Sequence, residues 1–143
     1  MDDLKQNLIL FFNKFQIANE EFNLELLGSY YADEFLFGQP QGVKAVKKED
    51  FLLVLPRRKD FFKNTGRQSS SLVSLEERIL DENYVEVMTI WKIIYKKGEE
   101  LIETIISTTY ILYKKDEAFQ IVVQIDHQDL MKRVQELGLL PVS

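Results

Sequence analysis

The sequence predicts an α+β domain in which helices cover one face of an antiparallel sheet. Apolar residues in the first third of the chain recur at helical spacing, and after Gly66 the period changes to about two residues. The later segments are joined by short polar connections, which make them antiparallel neighbours. Helices followed by a run of strands is typical of an α+β fold. A chain of 143 residues suffices for one domain, 1–143, with its own core.

Three helices are predicted before the long strands. The second runs from about Asn19 to Tyr30, with Asn19 as its N-cap and two acidic residues in its first turn. The third covers about 48–64, where Pro56 predicts a kink or a restart and Gly66 fits the position after the end. The first helix is indicated by an apolar stripe made of Leu4, Leu8, Phe11, Phe12 and Phe15.

A short hairpin and four long strands are predicted to form the sheet. Residues 34–37 form an arm, and 43–46 return beside it after a turn rich in glycine and proline. A last helix is predicted over about 128–137, with Gly138 as its stop. The four long strands are roughly 67–80, 84–96, 101–114 and 118–126, separated by hairpin-like connections.

Alternation within the strands indicates which side chains face the helices. In the last strand it assigns Val123, Ile125 and His127 to the inner row, and Gln124 and Asp126 to the outer row. The outer rows mix apolar and polar residues, which suits a dimer interface or a half-wetted sheet. The inner rows of the preceding two strands are Val85, Val87, Thr89, Trp91, Ile93 and Tyr95, and Ile102, Thr104, Ile106, Thr108, Tyr110 and Leu112.

Composition excludes several classes of site. The absence of cysteine excludes disulfides and thiolate metal sites, and a single histidine excludes a three-histidine zinc site. A net charge of −5 argues against broad nucleic-acid binding, and we interpret Arg57, Arg58 and Lys59 as a solvated helix face. The start lacks a signal-peptide pattern and no apolar run is long enough to span a membrane, so a cytoplasmic location is expected. No cofactor is indicated, because no nucleotide, flavin or metal pattern is present.

The order of elements resembles the nuclear transport factor two-like superfamily, the cystatin-like cone that includes SnoaL-like cyclases and ketosteroid isomerases. Residues 31–34, Tyr-Ala-Asp-Glu, followed by an apolar arm, Pro40 and Gly42, look like the family's passage into its first hairpin. The resemblance implies a curved sheet wrapped around the helices, a mostly apolar internal pocket and frequent homodimers. Its members include enzymes, transport factors and binding or assembly domains, so the fold alone does not select a function.

The residues of a ketosteroid isomerase are not matched. Gln39 stands where those enzymes place the carboxylate base before the proline, and an amide cannot take a proton from carbon. The first helix offers phenylalanines and no tyrosine for an oxyanion hole, and 108–111 contains no carboxylate. The sequence therefore argues against that chemistry.

Asp126 and His127 are the candidate acid or base of a SnoaL-like isomerase, cyclase or dehydratase. His127 has an intrinsic pKa suited to proton transfer near neutral pH. Adjacent strand residues point to opposite faces, so the two would not form a simple dyad. The structural alternative is that Asp126 or His127 caps the last helix.

The leading hypothesis is a small-molecule-binding or assembly domain without a catalytic constellation. A third hypothesis is a protein-interaction module that uses the outer sheet face, where a homodimer is also expected. Core packing is the alternative role for each aromatic candidate, since aromatics at strand spacing are commonly core. The candidate ligand-binding residues are Trp91 and Tyr110, with Thr89 and Thr108 beside them, and Tyr30 and Tyr31 at the pocket mouth.

Overall fold

The computed structural model describes residues 2–139, and it confirms the α+β class. One open, curved sheet of six strands is covered by helices. The four long strands lie within two residues of their predicted bounds. The elements are α1 (Asp2–Glu21), α2 (Leu24–Ser29), β1 (Tyr31–Gln39), β2 (Gly42–Lys47), α3 (Lys48–Asn64), β3 (Arg67–Ile79), β4 (Tyr84–Lys97), β5 (Glu100–Lys115), β6 (Ala118–Asp126) and α4 (Leu130–Glu136).

The sheet is not wholly antiparallel, which corrects one detail of the prediction. Its strand order is β2-β1-β6-β5-β4-β3, and β1 pairs with β6 in parallel. All other neighbours are antiparallel. Turn length could not reveal the parallel pair, because α3 and three long strands separate β1 from β6 in the chain. This pairing brings the end of β6 beside the first hairpin.

The boundary between the first two helices was predicted too early. Asn19 lies inside α1, where its side-chain amide donates to the carbonyl of Phe15 at 3.0 Å. The chain turns at Phe22, whose φ is 51°, and Asn23 is the N-cap of α2. Its side chain accepts from the amide of Leu26 at 3.1 Å. The buried Ala18 extends the apolar face of α1 to the residue before Asn19, which explains why the helix continues.

The third helix is one element across Pro56, without the restart that the proline suggested. Its end follows the prediction. The amide of Gly66 donates to the carbonyl of Lys63 at 3.2 Å, and its φ of 79° is the left-handed conformation that glycine adopts most readily. A Cβ at this position would clash with the carbonyl oxygen of Lys96, so both the conformation and the space require glycine.

A β-bulge in β6 reverses the predicted faces of its second half. Ile121 pairs with Leu112 and Val123 pairs with Ile111, which leaves Val122 without an opposite residue in β5. One extra residue changes which face every later side chain points to. Gln124 is accordingly buried, and Ile125 and His127 are exposed. The assignment of Val123, Ile125 and His127 to the inner row was therefore wrong.

The core lies between α1 and the inner rows of β4 and β5, as the alternation predicted. Phe12 packs against Tyr110 with ring centroids 4.8 Å apart and against Trp91 at 6.3 Å. Phe15 contacts Tyr31 and Tyr110 at 5.9 and 6.1 Å. Aromatic side chains thus fill most of the cone interior.

Within residues 2–139, no helix combines the length and apolar character needed to cross a membrane. The cytoplasmic location stays a prediction.

Candidate functional site

Two adjacent spaces open where β6 ends and α4 begins. The outer cleft has a volume of about 840 Å³ and lies between the β1–β2 hairpin, α3 and the start of α4; its walls include Phe51, Val54 and Phe61. The inner cavity, of about 100 Å³, lies deeper among Trp91, Tyr110 and the polar residues of β5 and β6. Both spaces are lined by Arg58, Phe62, Asp126, Gln128 and Leu130. These shared residues form the neck between them.

A chain of hydrogen bonds crosses the wall of the inner cavity. The hydroxyl of the buried Tyr31 donates to Oε1 of Gln124 at 2.8 Å. Nε2 of Gln124 donates to Oδ1 of Asp126 at 3.3 Å, and the hydroxyl of Thr108 donates to the same oxygen at 3.2 Å. These donors hold the Asp126 carboxyl toward the cavity.

A second set of hydrogen bonds orients Trp91. Its indole nitrogen donates to the Thr89 hydroxyl at 2.8 Å, and that hydroxyl donates to the carbonyl of Thr108 at 2.8 Å. Trp91 is thereby fixed with its polar edge satisfied, as expected for a buried indole.

Burial changes the ionisation of several groups here. It is the main cause that raises the pKa of the Asp126 carboxyl, while the hydrogen bond from Gln124 and the positive charge of Arg58 act in the opposite direction. Burial also raises the pKa of Tyr31 and Tyr110, so both phenols are neutral at physiological pH. A carboxyl with a raised pKa can serve either as a proton donor or as a base.

Two arginines flank the ring of Phe62. The guanidinium carbon of Arg58 lies 5.6 Å from the ring centroid, and that of Arg67 lies 4.1 Å from it. Both side chains are half-buried and line the inner cavity. Burial lowers the pKa of Arg67, and the charge of Arg58 contributes in the same direction. The cavity therefore combines cationic, aromatic and carboxyl groups.

The structure brings five of the predicted site residues together and leaves three outside. Thr89 lies behind the wall, where it bonds Trp91. Tyr30 packs against Phe11 and Phe15 with ring centroids 5.2 and 5.8 Å away, and lines neither space. The residues that do line the inner cavity are Tyr31, Trp91, Thr108, Tyr110 and Asp126.

His127, the third residue outside, lies exposed on the outer sheet face, with Nε2 at 2.7 Å from the Thr109 hydroxyl. The bulge places Asp126 at the cavity and His127 outside it, the reverse of the expected arrangement. Neither residue caps the last helix. That role belongs to Asp129, whose carboxylate accepts from the amide of Lys132 at 3.1 Å.

The residues predicted from the sequence to form the site do not include Arg58, Arg67, Phe62 or Gln124. Arg58 was interpreted as part of a solvated face, although its neighbour Phe62, one helical turn later, is a signal that this face is covered. Gln124 was assigned outward because nothing local to β6 marks the bulge. Within the described residues, no group of three or more histidine, aspartate or glutamate side chains is arranged to hold a metal ion.

A family model described as "NTF2-like protein (DUF6841)" matches residues 2–129. The chain belongs to this NTF2-like family. A search of curated proteins finds no match. The predicted resemblance to the nuclear transport factor two-like superfamily is therefore confirmed by the family model.

Solved structures show the same NTF2-like fold. Aln2 from a Streptomyces species superposes with a TM-score of 0.75 at 11% identity, covering 93% of this chain and 96% of Aln2. An NTF2-like protein with a cystatin-like fold from Novosphingobium aromaticivorans gives 0.71 at 7% identity, covering 96% and 89%. The beta subunit of benzoate 1,2-dioxygenase from Burkholderia mallei gives 0.67 at 11%, covering 92% of each chain. Identities this low establish the fold alone.

Proposed function

We propose that this NTF2-like domain binds a small molecule whose apolar body lies in the outer cleft and whose polar end points to the inner cavity. The observation that carries the proposal is the convergence of Arg58 and Asp126 at the neck beneath aromatic walls. Ligand sites in proteins are typically clefts of about 300–1,000 Å³ with apolar walls and a few placed polar groups. The outer cleft, at about 840 Å³, has that size, and its lining is divided between apolar and polar side chains.

The position of the ligand differs from the one expected from sequence. Trp91 and Tyr110 belong to a packed interior that leaves only about 100 Å³, which cannot hold a drug-sized body. In the proposal these aromatics border the polar end of the ligand, and residues of α3 and the first hairpin hold the body. Tyr30 and Thr89 do not contact the ligand in this proposal, because Tyr30 packs against α1 and Thr89 accepts a hydrogen bond from Trp91.

Binding of the neutral dye Nile red tests this proposal. Val54 lines the outer cleft, and Val54→Arg places a long charged side chain in it; Leu53, its neighbour on α3, lines neither space and gives the matched control Leu53→Arg. We expect wild type and Leu53→Arg to bind the dye equally, and Val54→Arg to lose at least about tenfold in affinity. Absence of binding to wild type, or equal binding by Val54→Arg, contradicts the proposal.

A second candidate function is acid–base catalysis on a carbonyl compound, with Asp126 as the acid or base. The specific observation in its favour is the raised pKa of a carboxyl that faces a cavity. Asp126→Asn keeps the accepting oxygen but removes the ionisable proton. In a turnover assay on aromatic ketones, Asp126→Asn should lose about 100-fold or more, and His127→Asn should retain the wild-type rate. Loss with His127→Asn alone would reverse the assignment.

We also propose that the outer sheet face associates with a second copy of this chain. Exposed apolar side chains include Met88, Ile90 and Ile105, and the pair Lys92 and Glu103 offers adjacent charges of opposite sign for reciprocal contacts. Light scattering should give twice the 16.8 kDa chain mass for wild type. Ile90→Lys should give a single-chain mass, and Leu53→Lys on α3 should not. A wild-type mass of one chain contradicts the proposal.

A further inference from the structure

The inner cavity has an excess of positive charge. Its lining includes two basic residues, Arg58 and Arg67, and one acidic residue, Asp126. The outer cleft is balanced, because Lys44 and Lys47 are matched by Asp50 and Asp129, apart from the neck residues that both spaces share. The excess of positive charge therefore lies in the inner cavity and not in the outer cleft.

Neither arginine is neutralised by an ion pair within the described residues. The salt bridges found there join Lys48 to Asp33, Lys92 to Glu103 and Lys114 to Glu117. Arg67 donates one N–H to the Ser70 hydroxyl at 3.0 Å, which leaves several of its five donors for another partner. Arginine is the side chain best suited to pair with a carboxylate in a partly buried site, so both guanidinium groups can accept an anionic partner.

The nearby carboxyl groups are engaged elsewhere. Glu20 Oε1 accepts from the Ser70 amide at 3.1 Å and from the Gln16 side chain at 2.9 Å. Asp126 Oδ1 accepts from Gln124 and Thr108. Neither acid forms a salt bridge with an arginine in the part of the chain that the structure describes. Their charges still act at a distance, since Glu20 raises the pKa of Arg67 and Arg58 lowers the pKa of Asp126, each against the effect of burial. A protonated Asp126 would add a donor to the same cavity.

The space around these groups is the size of a ligand head and has polar edges. About 100 Å³ corresponds to roughly three water molecules, which is room for a carboxylate and the first atoms of its attachment. The Phe62 ring lies against both guanidinium groups and also lines the outer cleft. A planar body that leaves the head through the neck would meet this ring.

We infer that Arg58 and Arg67 bind the acidic head of the ligand, which is an apolar or aromatic acid rather than a neutral compound. This inference rests on the proposed function, since the body of the same ligand lies in the outer cleft. Charge-assisted bonds from guanidinium to carboxylate supply both affinity and orientation. A neutral ligand of the same shape would form no charge-assisted bond with either guanidinium group.

The test compares 2-naphthoate with 2-naphthamide, its neutral analogue, by calorimetry at pH 7.5. We expect wild type to prefer the acid by at least about tenfold. Arg67→Gln and Arg58→Gln should remove most of that preference. Arg57→Gln is the matched control, because Arg57 is exposed on the same helix as Arg58 and its loss changes the net charge equally.

Nile red binding is measured on every variant to report that the outer cleft is intact. Equal affinity for the two naphthalene compounds, or an unchanged preference in a dye-binding Arg67→Gln variant, overturns the inference while the proposed function stands. Should Arg67→Gln fail to fold, Arg58→Gln and Arg67→Lys decide, and Arg67→Lys should weaken the preference because an ammonium cannot make the forked contact. Failure of wild type to bind the dye and both compounds overturns the inference and the proposed function together.

Discussion

Folding changes the pKa of the Asp126 carboxyl, and this change makes the stability of the protein depend on pH. Burial raises its pKa above the ordinary value of 3.8, so the folded state binds more protons than the unfolded state just above that value. Stability contributed by the protonated carboxyl is therefore lost as pH rises through the window between the unfolded and the folded pKa. Above the folded pKa the loss is complete and constant.

Asp126→Asn removes this pH-dependent loss. We expect the difference in unfolding free energy, variant minus wild type, to increase as pH rises from 3.8 and then to level off. Urea unfolding across this range measures it. The variant Asp60→Asn removes an exposed carboxylate on the surface of α3, and it is measured alongside to account for the loss of one acidic side chain. A difference for Asp126→Asn that is flat or decreases with pH would mean that burial does not raise this pKa.

The hydrogen bond between Tyr31 and Gln124 gives a second prediction for single residues. Tyr31→Phe leaves the Gln124 oxygen without its donor in a buried position. We expect a loss of about 1–2 kcal/mol in unfolding free energy. Tyr30→Phe, at a half-buried neighbour, should cost about 0.5 kcal/mol or less. Equal costs for the two variants would show that the buried bond contributes little.

Among the elements, the turn between α1 and α2 tests the cap that the structure assigns. Asn23→Ala removes the side-chain acceptor for the Leu26 amide and should cost about 0.5–2 kcal/mol. Asn19→Ala removes a bond inside α1 and should cost less than about 0.5 kcal/mol, since alanine favours the helix. Thermal or urea unfolding measures the loss of stability in each variant. A larger loss for Asn19→Ala than for Asn23→Ala would contradict the assigned cap and support a second helix that begins at Asn19.

Local sequence patterns predicted the helices and strands. They failed where pairing with strands distant in sequence determines which face a side chain occupies. The inner rows of β4 and β5 followed from alternation, because both strands pair in one unbroken register. In β6 the pattern failed at Val122, where the bulge depends on how β5 and β1 both pair with the strand. This single residue accounts for the exchange of Asp126 and His127. Arg58 and Arg67 were missed for a different, local reason: the basic run on α3 looked solvated, although Phe62, one helical turn after Arg58, contacts both guanidinium groups.

The whole molecule has a packed interior and an opening that is lined by charged and aromatic side chains. Aromatic residues of α1 and the sheet fill the centre, and at the opening a small cavity with two arginines lies behind a larger cleft of mixed apolar and polar lining. Membership of the NTF2-like family accounts for the fold. The chemistry of the opening comes from α3, β3 and the bulged end of β6, where this chain places its arginines and Asp126.

The most direct test of the proposed site is the indole N–H resonance of Trp91 in a ¹⁵N NMR titration with 2-naphthoate. The chain has one tryptophan, so the signal needs no further assignment, and Trp91 lines the inner cavity. We predict a saturable shift of this resonance together with the side-chain N–H signals of Arg58 and Arg67. Binding that leaves these three signals in place, and that shifts residues of the outer sheet face instead, would contradict the proposal.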